Sequence, residues 1–208
     1  VTIGLVALAF WDSALVYPLR IFVVFLHEIS HGLAAVLTGG RIVAIGLTFD
    51  EGGVCVTEGG SRFLILNAGY LGSLFWGALF LVLSARTRAS RETLGFVGVF
   101  VLAVTLLYVR SPFGFVYGLL AGTALVLASA KLPRDLVDDL LQTIGVVSCL
   151  YAVWDIGSDV VSRDVPGSDA SALGLLTGIP GVLWGIAWIA VSILVVLLAL
   201  RLVARGGR

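Results

Sequence analysis

The chain has 208 residues, of which 59% are hydrophobic and only 12% charged, and its 13 basic and 13 acidic residues cancel to a formal net charge of zero. Soluble globular domains carry roughly twice that share of charge, so a water-solvated globule is excluded and lipid is the solvent for most of this chain. No basic tract interleaved with aromatics is present, which argues against a nucleic-acid partner.

About 20 apolar residues cross a bilayer as a helix. Val1–Phe10 has neither the basic start nor the small-residue cleavage site of a signal peptide. Thr2–Tyr17 is a short apolar candidate, interrupted by Asp12 and closed by Pro18. Leu19–Leu37 is the second, and Thr38-Gly39-Gly40 stops it with a glycine able to take the left-handed cap. The pattern then changes. Arg41–Phe49 and Val54–Thr57 are short and rich in β-branched residues, and Asp50-Glu51-Gly52-Gly53 joins them, which predicts a β-hairpin.

Arg62–Ser84 is a third helix, with Gly69, Ser73 and Gly77 forming a small-residue stripe for close helix packing. A basic loop, Arg86–Glu92, precedes two further apolar stretches, Thr93–Tyr108 and Pro112–Ala130. Lys131–Asp139 is polar, Leu140–Ile156 apolar, and Ser158–Asp169 polar again. Ala170–Leu176 is short and ends at Gly178-Ile179-Pro180, and Val182–Leu202 is the last span. The expected fold is an all-α polytopic membrane protein of about six transmembrane helices with one short β-hairpin, forming a single domain over residues 1–208. The two cysteines, Cys55 and Cys149, fit no metal or redox spacing and read as small buried residues. If the segments alternate simply, Arg86, Arg88, Arg91, Lys131, Arg134, Arg201, Arg205 and Arg208 share one side, which the positive-inside rule makes cytoplasmic.

Chemistry concentrates in His27-Glu28-Ile29-Ser30-His31, an HExxH motif inside the second apolar segment. On a helix the two histidines stand one turn apart on one face, so both imidazoles can reach one zinc ion. Glu28 neighbours that face and is placed to act as general base on a water at the metal. These are the chain's two histidines, and ionisable groups at membrane depth cost a few kcal/mol each unless function retains them. A catalytic zinc takes three protein ligands, and Asp155, after the apolar run Cys149–Trp154, is the expected third; an interfacial role beside Trp154 is the other reading. Asp159 is the reserve, and Asp138 or Asp139 would gain if straight helices leave Asp155 at a different depth from His27. Asn67 is a candidate for holding substrate backbone, and an interhelical hydrogen bond is the favoured reading of it. Ser168 reads as a helix N-cap, giving Ser168 and Asp169 a structural role.

The stretches His27–Gly40 (HEISHGLAAVLTGG), Ala68–Ser73 (AGYLGS) and Tyr151–Ala170 (YAVWDIGSDVVSRDVPGSDA) together resemble the site-2-protease-like zinc metallopeptidases, and among them the small bacterial M50B-like branch. The resemblance implies a helical core around Zn2+, with His27 and His31 as ligands and Glu28 as the catalytic glutamate. It implies a hairpin beside which an unwound substrate segment aligns, and a site in a bacterial inner or plasma membrane. The partners are then a membrane-protein substrate and the lipid bilayer. The chain lacks the Asp-Gly motif that supplies the third ligand in better-known members. Two other functions compete: a metal-binding scaffold without hydrolysis, and a transporter, for which the paired broken helices of related halves are missing.

Overall fold

The computed structural model describes residue 10, residues 13–157 and residues 168–205. Most of the first apolar stretch, and Asp159, therefore lie outside the described residues. Within them the order is α1 (Tyr17–Leu37), β1 (Arg41–Leu47), β2 (Gly53–Glu58), α2 (Arg62–Arg86), α3 (Ser90–Tyr108), α4 (Pro112–Lys131), α5 (Arg134–Ile156), α6 (Asp169–Thr177) and α7 (Gly181–Arg205). All of these helices except α6 are long and apolar enough to cross a membrane, which makes six candidate spans. The protein is a multi-pass membrane protein, as its composition requires, and its described residues include one two-stranded antiparallel hairpin.

Helix α1 begins at Tyr17, and the missing N–H of Pro18 is harmless in its first turn. It ends as expected at Gly39, with φ of 87°. The Gly39 N–H donates to Val36 O at 3.1 Å and the Gly40 N–H to Ala35 O at 2.7 Å, the paired bonds of a Schellman stop. This helix is the centre of the bundle. Two thirds (67%) of its apolar window is buried, against 17% for α7, whose remaining surface is left for lipid. Ile21, Phe22, Phe25, Leu26 and Ile29 form the heart of the main core.

The hairpin folds back along α1. At its base the Ser61 N–H donates to Thr38 Oγ1 at 2.9 Å. At its tip Glu51 pairs with Arg20 at 3.0 Å and Tyr17 Oη donates to Phe49 O at 2.7 Å. Both strands are shifted slightly from the sequence expectation, because Thr48–Gly52 is a closed loop in which Glu51 takes a φ of 63°. The outer edge of β1 is occupied. Ile45 bridges Val109, the Arg110 N–H donates to Ile45 O at 2.9 Å, and the Leu47 N–H donates to Ser111 Oγ at 2.9 Å.

Helix α5 starts about two turns earlier than the apolar run suggested, because Arg134–Asp139 is helical although polar. It packs along α2 where the small-residue stripe permits. A Cβ on Gly77 would stand 2.9 Å from Gly145 O, and one on Gly145 2.9 Å from Gly77 O, so the two backbones are in direct contact. At one end of the bundle the basic residues gather. Arg86 Nε donates to Leu202 O at 2.7 Å, joining the last turns of α2 and α7. Arg91 donates to Ser129 O at 2.7 Å and Leu132 O at 2.6 Å, joining the start of α3 to the end of α4. Replacing Gly77 by valine should force α2 and α5 apart and lower stability by about 1–3 kcal/mol. The thermal unfolding midpoint in detergent reads this out, with Leu120→Val on the exposed face of α4 as the silent control.

Candidate metal centre

His27 and His31 fall in the middle of α1 and, one turn apart, project from the same face. Their rings stand 4.7 Å apart by centroids. What faces them is Asp169, the first residue of α6. Its Oδ2 lies 3.2 Å from His27 Nε2 and 3.2 Å from His31 Nε2, and one donor atom from each of the three residues falls within 4.8 Å of the others. Two ligands of a tetrahedral zinc, each at about 2.0–2.1 Å, are separated by about 3.3 Å. The spacing fits that ion.

The hydrogen-bonding pattern agrees. His31 Nδ1 lies 2.7 Å from the carbonyl of Ile65, and because a carbonyl only accepts, Nδ1 carries the hydrogen and donates it. In the neutral ring Nε2 then presents a lone pair towards the oxygen of Asp169. Two electron-rich atoms so placed call for a positive centre between them, and holding the distal nitrogen in this way is how proteins orient a metal-binding imidazole.

Glycine makes the room. A Cβ on Gly69 of α2 would stand 2.6 Å from both His27 Cε1 and His31 Nε2, so any side chain there would occupy the space in front of the two imidazoles. Glu28 is buried and packs against the hairpin, where a Cβ on Gly53 would come within 2.8 Å of its Cδ. The histidines, Glu28, Asp155 and Asp169 all line one cavity of about 830 Å³, closed on one side by the hairpin residues Gly53, Val54, Cys55 and Thr57. Burial, and to a lesser degree the charge of Glu28, push the Cys55 thiol up to about 12.

Two of the expected residues stand elsewhere than at the histidines. The carboxylate beside both imidazoles is that of Asp169, while Asp155 lines the cavity wall near the end of α5 without joining the cluster. The reason is tertiary. Ala170 and Leu173 of α6 pack with Tyr70, Ile156 and Trp188, which carries the first turn of α6 over the histidines. Ser168 is the N-cap anticipated, accepting from the Ser171 N–H at 3.3 Å, while the Asp169 carboxylate faces both histidines. A hint existed in the sequence: an aspartate at the head of a helix too short to span, followed by a Gly-Ile-Pro break. Asp138 sits at the far end of α5 beside arginines.

Asn67 is the second. It is absent from the cavity lining and instead accepts from Trp188 Nε1 at 2.9 Å and donates to Phe63 O at 2.8 Å. The interhelical reading holds, because Asn67 faces α7.

The sequence model of the Peptidase M50B-like family matches residues 1–199. The chain belongs to that family. No curated protein and no solved structure matches it. In this M50B-like chain the site is thus assembled from α1, α2, α5, α6 and the hairpin, and Asn67 supports it from behind. Asn67→Leu should leave the Trp188 N–H without its acceptor and lower stability by about 1 kcal/mol. Thermal unfolding in detergent checks this, and Asn67→Gln should recover part of the loss.

Proposed function

We propose that this M50B-like protein is an intramembrane zinc endopeptidase that hydrolyses peptide bonds in or near the membrane-spanning segments of protein substrates. The observation that carries the reading is the convergence of His27, His31 and Asp169 beside a buried Glu28. His27, His31 and Asp169 would hold the ion. Zinc in such a site supplies Lewis acidity and brings the pKa of a water near 7. Glu28, packed on Gly53, takes the proton of the attacking water and returns it to the departing amide nitrogen. Asp155 adds negative charge to the cavity wall.

The hairpin gives the substrate its place. A helical segment hides its carbonyls in its own hydrogen bonds, and extension along a strand edge exposes them. The pairing Leu47↔Gly53, Gly46↔Val54, Ile45↔Cys55 leaves the backbone groups of Gly53 and Cys55 directed away from β1, as the outward bonds of Ile45 and Leu47 on the other strand require. That outer edge of β2 borders the cavity. It supports an antiparallel or parallel strand addition beside Glu28. The basic end of the bundle is assigned to the cytoplasm of a bacterial cell.

Purified wild-type protein should carry about one zinc per chain. His27→Ala, His31→Ala and Asp169→Asn should lose it, while Asp155→Asn keeps it. Elemental analysis of detergent-purified protein decides the matter, and the reverse result for the two aspartates would move the third ligand to Asp155.

Glu28→Gln should retain the metal and lose cleavage by about 10²–10⁴-fold or more. Membrane proteomes of cells expressing wild type or the variant identify substrates, and turnover of one of them is then measured. Undiminished turnover in the variant would refute Glu28 as the proton acceptor, and membrane proteomes that do not differ between the two would leave a metal-binding scaffold as the better description.

A further inference from the structure

A second cavity, of about 170 Å³, lies at the basic end and is lined by Arg88, Arg91, Arg134, Asp135, Val137 and Asp138. It sits where the α2–α3 link and the first turn of α3 meet the first turns of α5. Arg91 is fixed in its wall by the bonds to Ser129 O and Leu132 O. Arg88 and Arg134 are exposed. Asp135 and Asp138 share the lining, yet among the described residues no ion pair within 4.0 Å joins them to these arginines. Opposite charges face one cavity without closing on each other.

Two helix ends add to the positive side. The residues preceding α3 and α5, Ala89 and Pro133, provide no side-chain cap, whereas Ser61, Ser111 and Ser168 cap α2, α4 and α6. Uncapped N–H groups raise the potential for an anion. The depth is that of lipid headgroups, because the apolar stretches of α3, α4 and α5 begin immediately inward and Leu136, in the first turn of α5, is half exposed. Basic pockets between spanning helices at this level hold phosphate headgroups.

We infer that this cavity binds the headgroup of a phospholipid bearing both a phosphodiester and a primary ammonium. The phosphate sits on the guanidinium groups of Arg88 and Arg134, with the charge of Arg91 behind, and the ammonium sits between Asp135 and Asp138. Guanidinium offers phosphate a fork of N–H donors. The carboxylates discriminate. A headgroup with phosphate alone leaves them facing an anion, and a trimethylated ammonium has no N–H to donate to them.

The test is lipid retention by the intact protein in detergent, read by native mass spectrometry with equimolar phosphatidylethanolamine, phosphatidylglycerol and phosphatidylcholine. Wild type should retain phosphatidylethanolamine in preference to the other two. The Arg88→Gln/Arg134→Gln variant should lose that retention about tenfold or more, with its unfolding midpoint in lipid-free detergent and its metal content unchanged. Asp135→Asn/Asp138→Asn should keep lipid but lose the preference. Equal retention of all three lipids by wild type and both variants would overturn the assignment. So would displacement of phosphatidylethanolamine by inorganic phosphate at equal concentration, which would mark a site for a free anion.

Discussion

The hydrogen bond from His31 to the carbonyl of Ile65 is the interaction on which the rest of the centre depends. At membrane depth no water relieves an unpaired imidazole N–H, so the ring must find its acceptor in a neighbouring helix. That acceptor fixes which nitrogen is left for the cavity. It also requires α2 to approach α1 at the level of the histidines, and a backbone can come that close only where it carries no side chain. Gly69 meets that demand, one turn beyond Ile65. The same helix then uses Gly77 to lie against α5, so one row of small residues serves both the chemistry and the packing.

The aspartate reaches the histidines by a different device. Helix α6 spans nine residues, too few to cross a bilayer, and so its first turn can lie within the protein. The apolar face formed by Ala170 and Leu173 anchors it on Tyr70 and Trp188. Tyr70 in turn meets the ring of His27 edge-on at 4.8 Å, and Trp188 is tied to Asn67. The carboxylate thus sits at a helix N-terminus, where the backbone dipole favours negative charge, and its own cap is supplied by Ser168.

The hairpin is asymmetric in use. One edge is satisfied by Val109, Arg110 and Ser111, and the tip is pinned by Tyr17, Arg20 and the ring of Phe113. These ties hold the second edge at a fixed position along the cavity, which a strand-pairing site needs if it is to present one bond to one base. Because Gly69 lies 17 residues before Arg86 in α2, the histidine centre is about 25 Å along the axis from the basic end of the bundle. The two cavities are thereby kept apart by apolar helix.

Much of this was legible from residues alone. Apolar runs of spanning length, the β-branched interruption, and two histidines four apart with a glutamate between them are local patterns, and local backbone geometry turns each into a helix, a hairpin or a shared face. The glycine stop of α1 and the Ser168 cap are local in the same sense. The third acid was not. Asp155 and Asp169 are both carboxylates near the end of apolar stretches, and their separation from His31 along the chain says nothing about which approaches it. That choice was made by how Ala170 and Leu173 seat α6 against α2 and α7, and likewise the orientation of Asn67 was settled by Trp188 on a helix more than a hundred residues away. Sequence determines which groups must leave water; only the packed helices decide which of them meet, because a buried charge or N–H is stabilised by whatever partner the tertiary structure brings within bonding distance.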